Sequence, residues 1–282
     1  MPYIILSSCI LTALLIVRIS LGSLNSIPKL DSGYAGTAGN QQVNADVYDW
    51  ANYENQTLYV IAGGIGRSGK GKIAAQEAVN TIVRMFEITG ATKKPAFFFR
   101  QALHSANQAI LRRITDGTAG ASVLCAVVKE GFLYYASVGN CRISVYRHGE
   151  LIPLSEGHTL DVLAKNAFRK GQISRMEALA ALKEKRLYHF VGHDGFQDVE
   201  IFDVPVSLKK GDSIVMMTDG VYEFFSTGQM EKISANKKKQ CTKGPPSDRG
   251  TGKKQSSRAG KCFRHHFKSE QDIGVDHEKG KF

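Results

Sequence analysis

Apolar and polar residues follow one another along the chain in patterns that predict two strands and then two helices. The runs at 46–50 and 58–62 have the length and residue types of strands, and the polar segment between them predicts a hairpin. Apolar residues then recur at helical spacing over 73–86, and a second amphipathic helix is predicted over 97–114. Strands followed by a pair of helices indicate a layered domain.

The middle third of the chain is rich in β-branched residues. Three short β-rich runs follow the helices, at 121–128, 132–138 and 142–147. Their three-residue connections require antiparallel pairing, because a parallel connection needs a dozen or more residues, so a three-stranded meander is predicted. A helical stretch over 161–185 and two further strands, at 199–206 and 213–218, complete the pattern. The predicted fold class is α+β, a central antiparallel β-sandwich flanked by helices.

The amino-terminal segment is apolar but short. In a chain of 282 residues that is 43% hydrophobic, residues 4–17 are almost continuously apolar, and Arg18 ends the run. The run falls short of the roughly 20 residues that span a bilayer, and it has no preceding Lys or Arg. We assign residues 1–30 as a buried strand or marginal anchor. The predicted location is cytoplasmic, with membrane tethering through 4–17 as the alternative.

The net charge of +11 is concentrated near the carboxyl end. Residues 237–268 contain eleven Lys and Arg residues against a single acid, Asp248, together with Gly, Pro and Ser. This composition predicts a poorly ordered basic tail over 229–282, which leaves 31–228 as the folded domain. Such a tail contacts acidic surfaces nonspecifically, and no specific nucleic-acid binding is expected.

A glycine-rich turn at 63–71 allows three interpretations. Gly64, Gly66 and Gly69 have the spacing of a dinucleotide fingerprint, and the same stretch begins like a P-loop, although Gly71 stands where a Ser or Thr should meet magnesium. Both nucleotide motifs require a parallel βαβ unit, which the predicted antiparallel meander does not supply. The turn is otherwise structural, or it belongs to a different catalytic family.

Three segments in chain order carry a family resemblance that extends over 44–225. The first contains Asn44-Ala-Asp46 and a strand ending in Gly63-Gly-Ile-Gly; the second contains Val-Gly-Asn140-Cys-Arg; the third contains Thr-Asp219-Gly. Together they resemble the Asn-x-Asp, Asp-Gly-Met-Gly, Val-Gly-Asp-Ser-Arg and Ser-Asp-Gly motifs of the metal-dependent type 2C (PPM-type) serine/threonine protein phosphatases.

The resemblance implies a fold, a cofactor and a reaction. The implied fold is a PPM-type β-sandwich with two Mg²⁺ or Mn²⁺ ions at one edge of the sheets. Such a centre lowers the pKa of a bridging water, so that hydroxide attacks phosphorus without a covalent enzyme intermediate. The implied substrates are phosphoserine and phosphothreonine proteins.

The implied metal ligands are only partly present. Asp46 and Asp219 match two family aspartates, and the Gly64 carbonyl matches a third ligand. The last metal aspartate of the family precedes a closing strand, and Asp272 is the candidate for it. Hard oxygen ligands of this kind suit magnesium and manganese.

Three positions depart from the family pattern where its chemistry takes place. Gly63 stands where the family has the aspartate that bridges the two metals, and Asn140 replaces the aspartate of the Gly-Asp motif. Gln41 occupies the place of the arginine that often holds the phosphate. A shared carboxylate offsets the repulsion between two nearby divalent ions, and a glycine cannot do so.

Two hypotheses therefore remain. The chain is a PPM-type phosphatase whose metal-dependent hydrolysis of phosphoproteins is impaired, or it is a catalytically inactive pseudophosphatase that binds a phosphoprotein or a kinase. A P-loop-like nucleotide binder is a remote third alternative. Restoring an aspartate at Gly63 should raise metal affinity if the remaining ligands are in position.

Overall fold

A computed structural model describes residues 44–91, 94–182, 186–196 and 200–235, together with Thr12 and the backbone of two further strands at 29–36 and 261–268. The strands in this part of the chain are β1 (Lys29–Gly36), β2 (Asp46–Tyr53), β3 (Gln56–Ile65), β4 (Gly120–Lys129), β5 (Phe132–Val138), β6 (Arg142–Arg147), β7 (Glu150–Pro153), β8 (Glu200–Ser207), β9 (Ser213–Met217) and β10 (Lys261–Lys268). The helices are α1 (Lys70–Thr89), α2 (Pro95–Arg113), α3 (Leu160–Arg169), α4 (Arg175–Ala181), α5 (Asp219–Phe224) and α6 (Thr227–Ala235).

Two five-stranded antiparallel sheets form the centre of the fold. One has the order β2-β3-β4-β5-β8 and the other has the order β1-β10-β9-β6-β7. The predicted α+β sandwich is therefore confirmed. The predicted helices over 73–86 and 97–114 correspond to α1 and α2, and the predicted hairpin is β2–β3, with longer strands and a tighter turn than the sequence pattern indicated.

The predicted three-stranded meander is wrong in its last strand. β4 and β5 pair as an antiparallel hairpin, but β6 pairs with β7 and β9 in the other sheet. The chain crosses between the sheets at the turn 139–141, where Gly139 has a φ of 96°. A short connection requires a sharp reversal but does not require the next strand to join the same sheet, which is why spacing alone misled the prediction.

The central strand β4 shows why the sequence forms two layers. Its side chains alternate between the two faces of the sheet. On one face Val123, Cys125 and Val127 pack among the residues of α1 and α2, and on the other Leu124 and Ala126 pack against the second sheet. β4 is buried on both faces, so its sequence reads as one continuous apolar run.

The outer face of the second sheet is covered by the last two helices. Val215 and Met217 of β9 pack there with Val221 of α5 and Met230 of α6. α6 runs across the predicted domain boundary at residue 228. β10, within the predicted tail, pairs with both β1 and β9, and the remaining residues after 235 lie outside the described part.

The amino-terminal prediction is not tested. Apart from Thr12, residues 4–17 lie outside the described residues. Among the helices that the structure does describe, none has the length and apolar content to cross a membrane.

Candidate metal centre

Asp46 and Gly63 face each other at one edge of the sandwich. They are directly paired across β2 and β3, so their side-chain positions lie on the same face of the sheet. Asp46 is buried, with 8% of its surface exposed. A Cβ atom at residue 63 would lie 3.5 Å from Asp46 Oδ1 and 3.7 Å from Thr218 Cγ2, which are ordinary contact distances. This position can accept a side chain, and the chain supplies none.

The second sheet contributes Thr218 and Asp219, which follow β9. The Thr218 hydroxyl donates a hydrogen bond of 2.9 Å to Asp46 Oδ2 and so joins the two sheets at this edge. Asp219 opens α5, and its Oδ1 accepts a hydrogen bond of 2.8 Å from the Gly220 N–H. A carboxylate in the first turn of a helix is favoured by the helix dipole.

Asn140 lies beside Asp219 at the crossing between the sheets. Its side-chain amide donates to Asp219 Oδ2 at 3.1 Å, and its carbonyl accepts a hydrogen bond of 2.8 Å from the Tyr222 hydroxyl. The neighbouring Gly139 N–H donates to His158 Nδ1 at 2.9 Å, so His158 supports the turn rather than reaching the carboxylates. The amide of Asn140 acts here as a donor to a carboxylate, whereas a metal would require its oxygen.

The pKa of the buried Cys141 thiol responds to the negative charges at this edge of the sandwich. Its pKa is raised well above the ordinary thiol value, first because the side chain is fully buried and next because Asp46 and Asp219 are nearby negative charges. Its Sγ lies 3.6 Å from the Ser122 carbonyl oxygen, to which it can donate. The two carboxylates therefore create a negative electrostatic potential at Cys141.

The glycine turn after β3 is explained by close packing. A Cβ at Gly64 would lie 2.2 Å from the backbone oxygen of Gly71, so the end of β3 and the start of α1 touch through their backbones. The pairing of β3 with β4 is antiparallel, and neither nucleotide motif has the parallel unit it needs.

Lys70, which a P-loop would use for phosphate, is already paired. Its Nζ donates to Asp116 and, at 3.2 Å, to the Thr118 hydroxyl. The hydrogen bond from Lys70 and further bonds from Thr118 lower the pKa of the Asp116 carboxyl to about 2. The packing of the turn and this ion pair favour the structural interpretation of the glycine stretch.

One known protein family matches most of this chain. The model of the protein phosphatase 2C family matches residues 35–236. The chain belongs to this family. It is a PPM-type serine/threonine phosphatase domain, as the motif resemblance indicated.

Relatives of this PPM domain are bacterial phosphatases. A serine/threonine phosphatase stp of Listeria monocytogenes is 23% identical over 202 residues, which cover 69% of this chain and 77% of that protein. Among solved structures, the S. agalactiae serine/threonine phosphatase superposes with a TM-score of 0.68 at 16% identity, covering 85% of this chain and all of that one. The Mycobacterium tuberculosis phosphatase PstP/Ppp gives a TM-score of 0.64 at 15% identity, covering 85% and 99%.

The PPM family is in general dependent on magnesium or manganese, but the described residues of this PPM domain do not fit a two-metal centre. At least three of the four carboxylate oxygens of Asp46 and Asp219 accept hydrogen bonds from neutral groups. Within the described ranges, no group of three or more His, Cys, Asp or Glu side chains is arranged to hold a metal ion. Two of the predicted site residues, Gln41 and Asp272, lie outside those ranges.

The structure places five of the predicted site residues at one edge of the sandwich, beside three residues that the sequence reasoning did not single out. Asp46, Gly63, Gly64, Asn140 and Asp219 all belong to it. Thr218, Cys141 and Tyr222 were not singled out, although each adjoins or closely follows a residue that was. Thr218 stands where the family motif has a serine directly before its aspartate, which was the available signal.

Proposed function

We propose that this PPM-type domain binds phosphoserine or phosphothreonine proteins, or a kinase, with its own metal-dependent hydrolysis lost or strongly reduced. The observation that carries the proposal is the glycine at position 63, which is paired with buried Asp46. A Cβ atom at this position would lie 3.5 Å from Asp46 Oδ1, but the glycine offers no bridging carboxylate. The chain otherwise retains the β-sandwich of the family.

The hydrogen bonds around the two carboxylates support this reduced chemistry. Thr218 and Asn140 are neutral donors that satisfy Asp46 and Asp219. Two divalent ions at the usual separation of roughly 3.5–4 Å need several anionic ligands to offset their repulsion. Asn140 in place of an aspartate and Gly63 in place of another remove two negative charges from that set.

The experiment is a calorimetric titration with Mn²⁺ of the wild-type chain, Gly63→Asp and Gly63→Asn, with hydrolysis of a phosphothreonine peptide measured on the same samples. We expect neither two-ion binding nor metal-dependent turnover from the wild-type chain. Gly63→Asp should bind Mn²⁺ more tightly, because its carboxylate would stand beside Asp46. Gly63→Asn has the same shape without the charge and should behave as the wild type.

Two outcomes would contradict the proposal. Binding of two Mn²⁺ ions by the wild-type chain with metal-dependent turnover would establish an active phosphatase that tolerates Gly63. If the wild-type chain shows no turnover and binds neither the phosphothreonine peptide nor the kinase that phosphorylates this peptide, the proposed binding function is wrong. An unchanged Mn²⁺ affinity in Gly63→Asp would show that the ligand set has diverged beyond this one residue.

A further inference from the structure

A cavity of about 480 Å³ lies between α3 and the outer face of the second sheet, beside the candidate metal centre but separate from its carboxylates. β6 contributes Arg142, α3 contributes Asp161 and Lys165, and α5 contributes Tyr222. Its volume falls within the range of pockets that hold small organic ligands. Arg142 belongs to one of the phosphatase motifs, but the cavity wall does not include Asp46, Gly63 or Asp219.

Two charged side chains of the cavity wall each have a buried atom without a hydrogen-bond partner within the described residues. They are Arg142, through Nε, and Asp161, through Oδ1. Buried polar atoms are almost always hydrogen-bonded, so the described residues leave the polar groups of Arg142 and Asp161 incompletely satisfied. The first-turn position of Asp161 on α3 explains why a negative charge is favoured there, but it does not supply a donor for Oδ1.

The guanidinium of Arg142 is held in place without being neutralised. It stacks on the ring of Tyr222, with the guanidinium carbon 3.8 Å from the ring centre. A cation–π contact of this kind orients the group and leaves its N–H donors available for a ligand. Arg142 therefore presents a fixed positive charge to the cavity.

The charged residues of the wall balance in sign. Arg142 and Lys165 are opposed by Asp161 and Glu156, and Glu156 already lies 3.9 Å from the exposed Arg169. A phosphate or a dicarboxylate would meet the negative charge of Asp161, and a metal ion would meet the positive charge of Arg142. A ligand that carries one positive and one negative group satisfies both.

Most of the remaining wall is apolar. Its apolar residues include Leu151, Met217, Leu182 and Met230. Water alone could solvate the charged groups of the wall, but it would leave this apolar surface without a partner. An apolar group on the ligand would cover it.

We infer that this cavity binds a small zwitterion with an apolar side chain, of the amino-acid class, whose carboxylate bonds to Arg142 and whose ammonium bonds to Asp161. The site does not depend on the proposed loss of hydrolysis. It lies next to the candidate metal centre, because Tyr222 also donates its hydroxyl to the Asn140 carbonyl at 2.8 Å. Ligand binding would tie α3 to the edge of the sheet that carries Asn140.

The test is calorimetric titration of the full chain with leucine and two analogues. Leucinamide lacks the carboxylate of leucine, and 4-methylpentanoate lacks its ammonium group. We expect leucine to bind at least about tenfold more tightly than either analogue, a ratio that corresponds to one charge-assisted contact. A leucyl-leucine arm shows whether a free amino acid or a short peptide fits better. Equal binding of the three small ligands, or no binding of leucine, would overturn the inference.

Variants assign each half of the ligand. Arg142→Met should remove the preference for leucine over leucinamide, and Asp161→Asn should remove the preference for leucine over 4-methylpentanoate. Arg113→Met removes a surface cation whose partner Glu77 does not line the cavity, and it should leave all affinities unchanged. If a cavity variant fails to fold, the ligand series on the wild-type chain decides alone.

Discussion

Carboxylates at the two ends of the β6–β9 strand pair have opposite kinds of partner. At one end Asp212 faces a full positive charge, since Arg147 Nε donates to its Oδ1 at 2.9 Å and the Lys209 N–H donates to its Oδ2 at 2.7 Å. At the other end Asp46 and Asp219 accept hydrogen bonds from the neutral groups of Thr218 and Asn140. The motif resemblance implies metal cations at this second end. In this structure the second end has neutral donors beside its carboxylates, whereas the first end has an ion pair.

Removal of the cation at the structural end should have the largest effect. Arg147→Met leaves the Asp212 carboxylate, whose side chain is 4% exposed, without a counter-charge. Loss of one partner of a buried pair costs about 3 kcal/mol of unfolding free energy, at the lower end of the usual range because the Lys209 N–H still bonds to Asp212. Urea denaturation of both proteins measures it.

A matched control exists on the surface. Arg113 Nε lies 3.7 Å from Glu77 Oε1, and the two side chains are 66% and 36% exposed. Arg113→Met should therefore change the unfolding free energy by less than about 1 kcal/mol. Equal losses in Arg147→Met and Arg113→Met would show that burial does not distinguish the two ion pairs.

Removal of the neutral donor at the other end should have a smaller but clear effect. Thr218→Val keeps the shape of the side chain and takes away the hydroxyl that bonds to buried Asp46. Loss of a hydrogen bond to a charged acceptor costs about 2 kcal/mol. Thr218→Ser keeps the hydroxyl and should lose less in the same denaturation experiment. If Thr218→Val is as stable as wild type, Asp46 does not depend on this donor.

The elements of the fold could be predicted from the sequence because each carries its own periodic pattern. Helix α1 buries residues at every third or fourth position, and β4 is apolar from Val123 to Val128. The assignment of β6 to a sheet could not be predicted, because it depends on the long-range pairing of Arg142 with Met217 across 75 positions of chain. Local spacing contains no information about that contact.

The candidate site divides in the same way. Asp46, Asn140 and Asp219 were predicted because motif resemblance fixes residues one at a time. The contact between Thr218 and Asp46 joins residues 172 positions apart, and the contact between Tyr222 and Asn140 joins residues 82 apart. These depend on how the two sheets meet. Sequence could therefore identify the missing carboxylate, but not the neutral donors that take its place.

Acid should remove the stability that ionised Asp212 contributes. Burial acts to raise the pKa of Asp212, but hydrogen bonds from Arg147 and from the Lys209 N–H outweigh it, and the pKa lies below its ordinary value of 3.8. The unfolded chain then binds the proton first as pH falls. The stability that the ionised carboxylate contributes is full above about pH 4 and is lost as pH falls through the lower, folded-state pKa.

Asp212→Asn tests this dependence with the smallest expected change. The variant should be less stable than wild type by about 1 kcal/mol at pH 7, and the gap should close as pH falls below 4. Asp116→Asn is the exposed comparison: its carboxyl also has a lowered pKa, of about 2, but its ion pair with Lys70 is solvated. Added salt should shrink the Asp116 effect and leave that of Asp212, because buried pairs are screened less. The difference in unfolding free energy between wild type and Asp212→Asn could instead stay constant from pH 7 to 3. Asp212 would then act through its shape and hydrogen bonds rather than through its charge. In that case the two ends of the β6–β9 strand pair would differ in geometry alone.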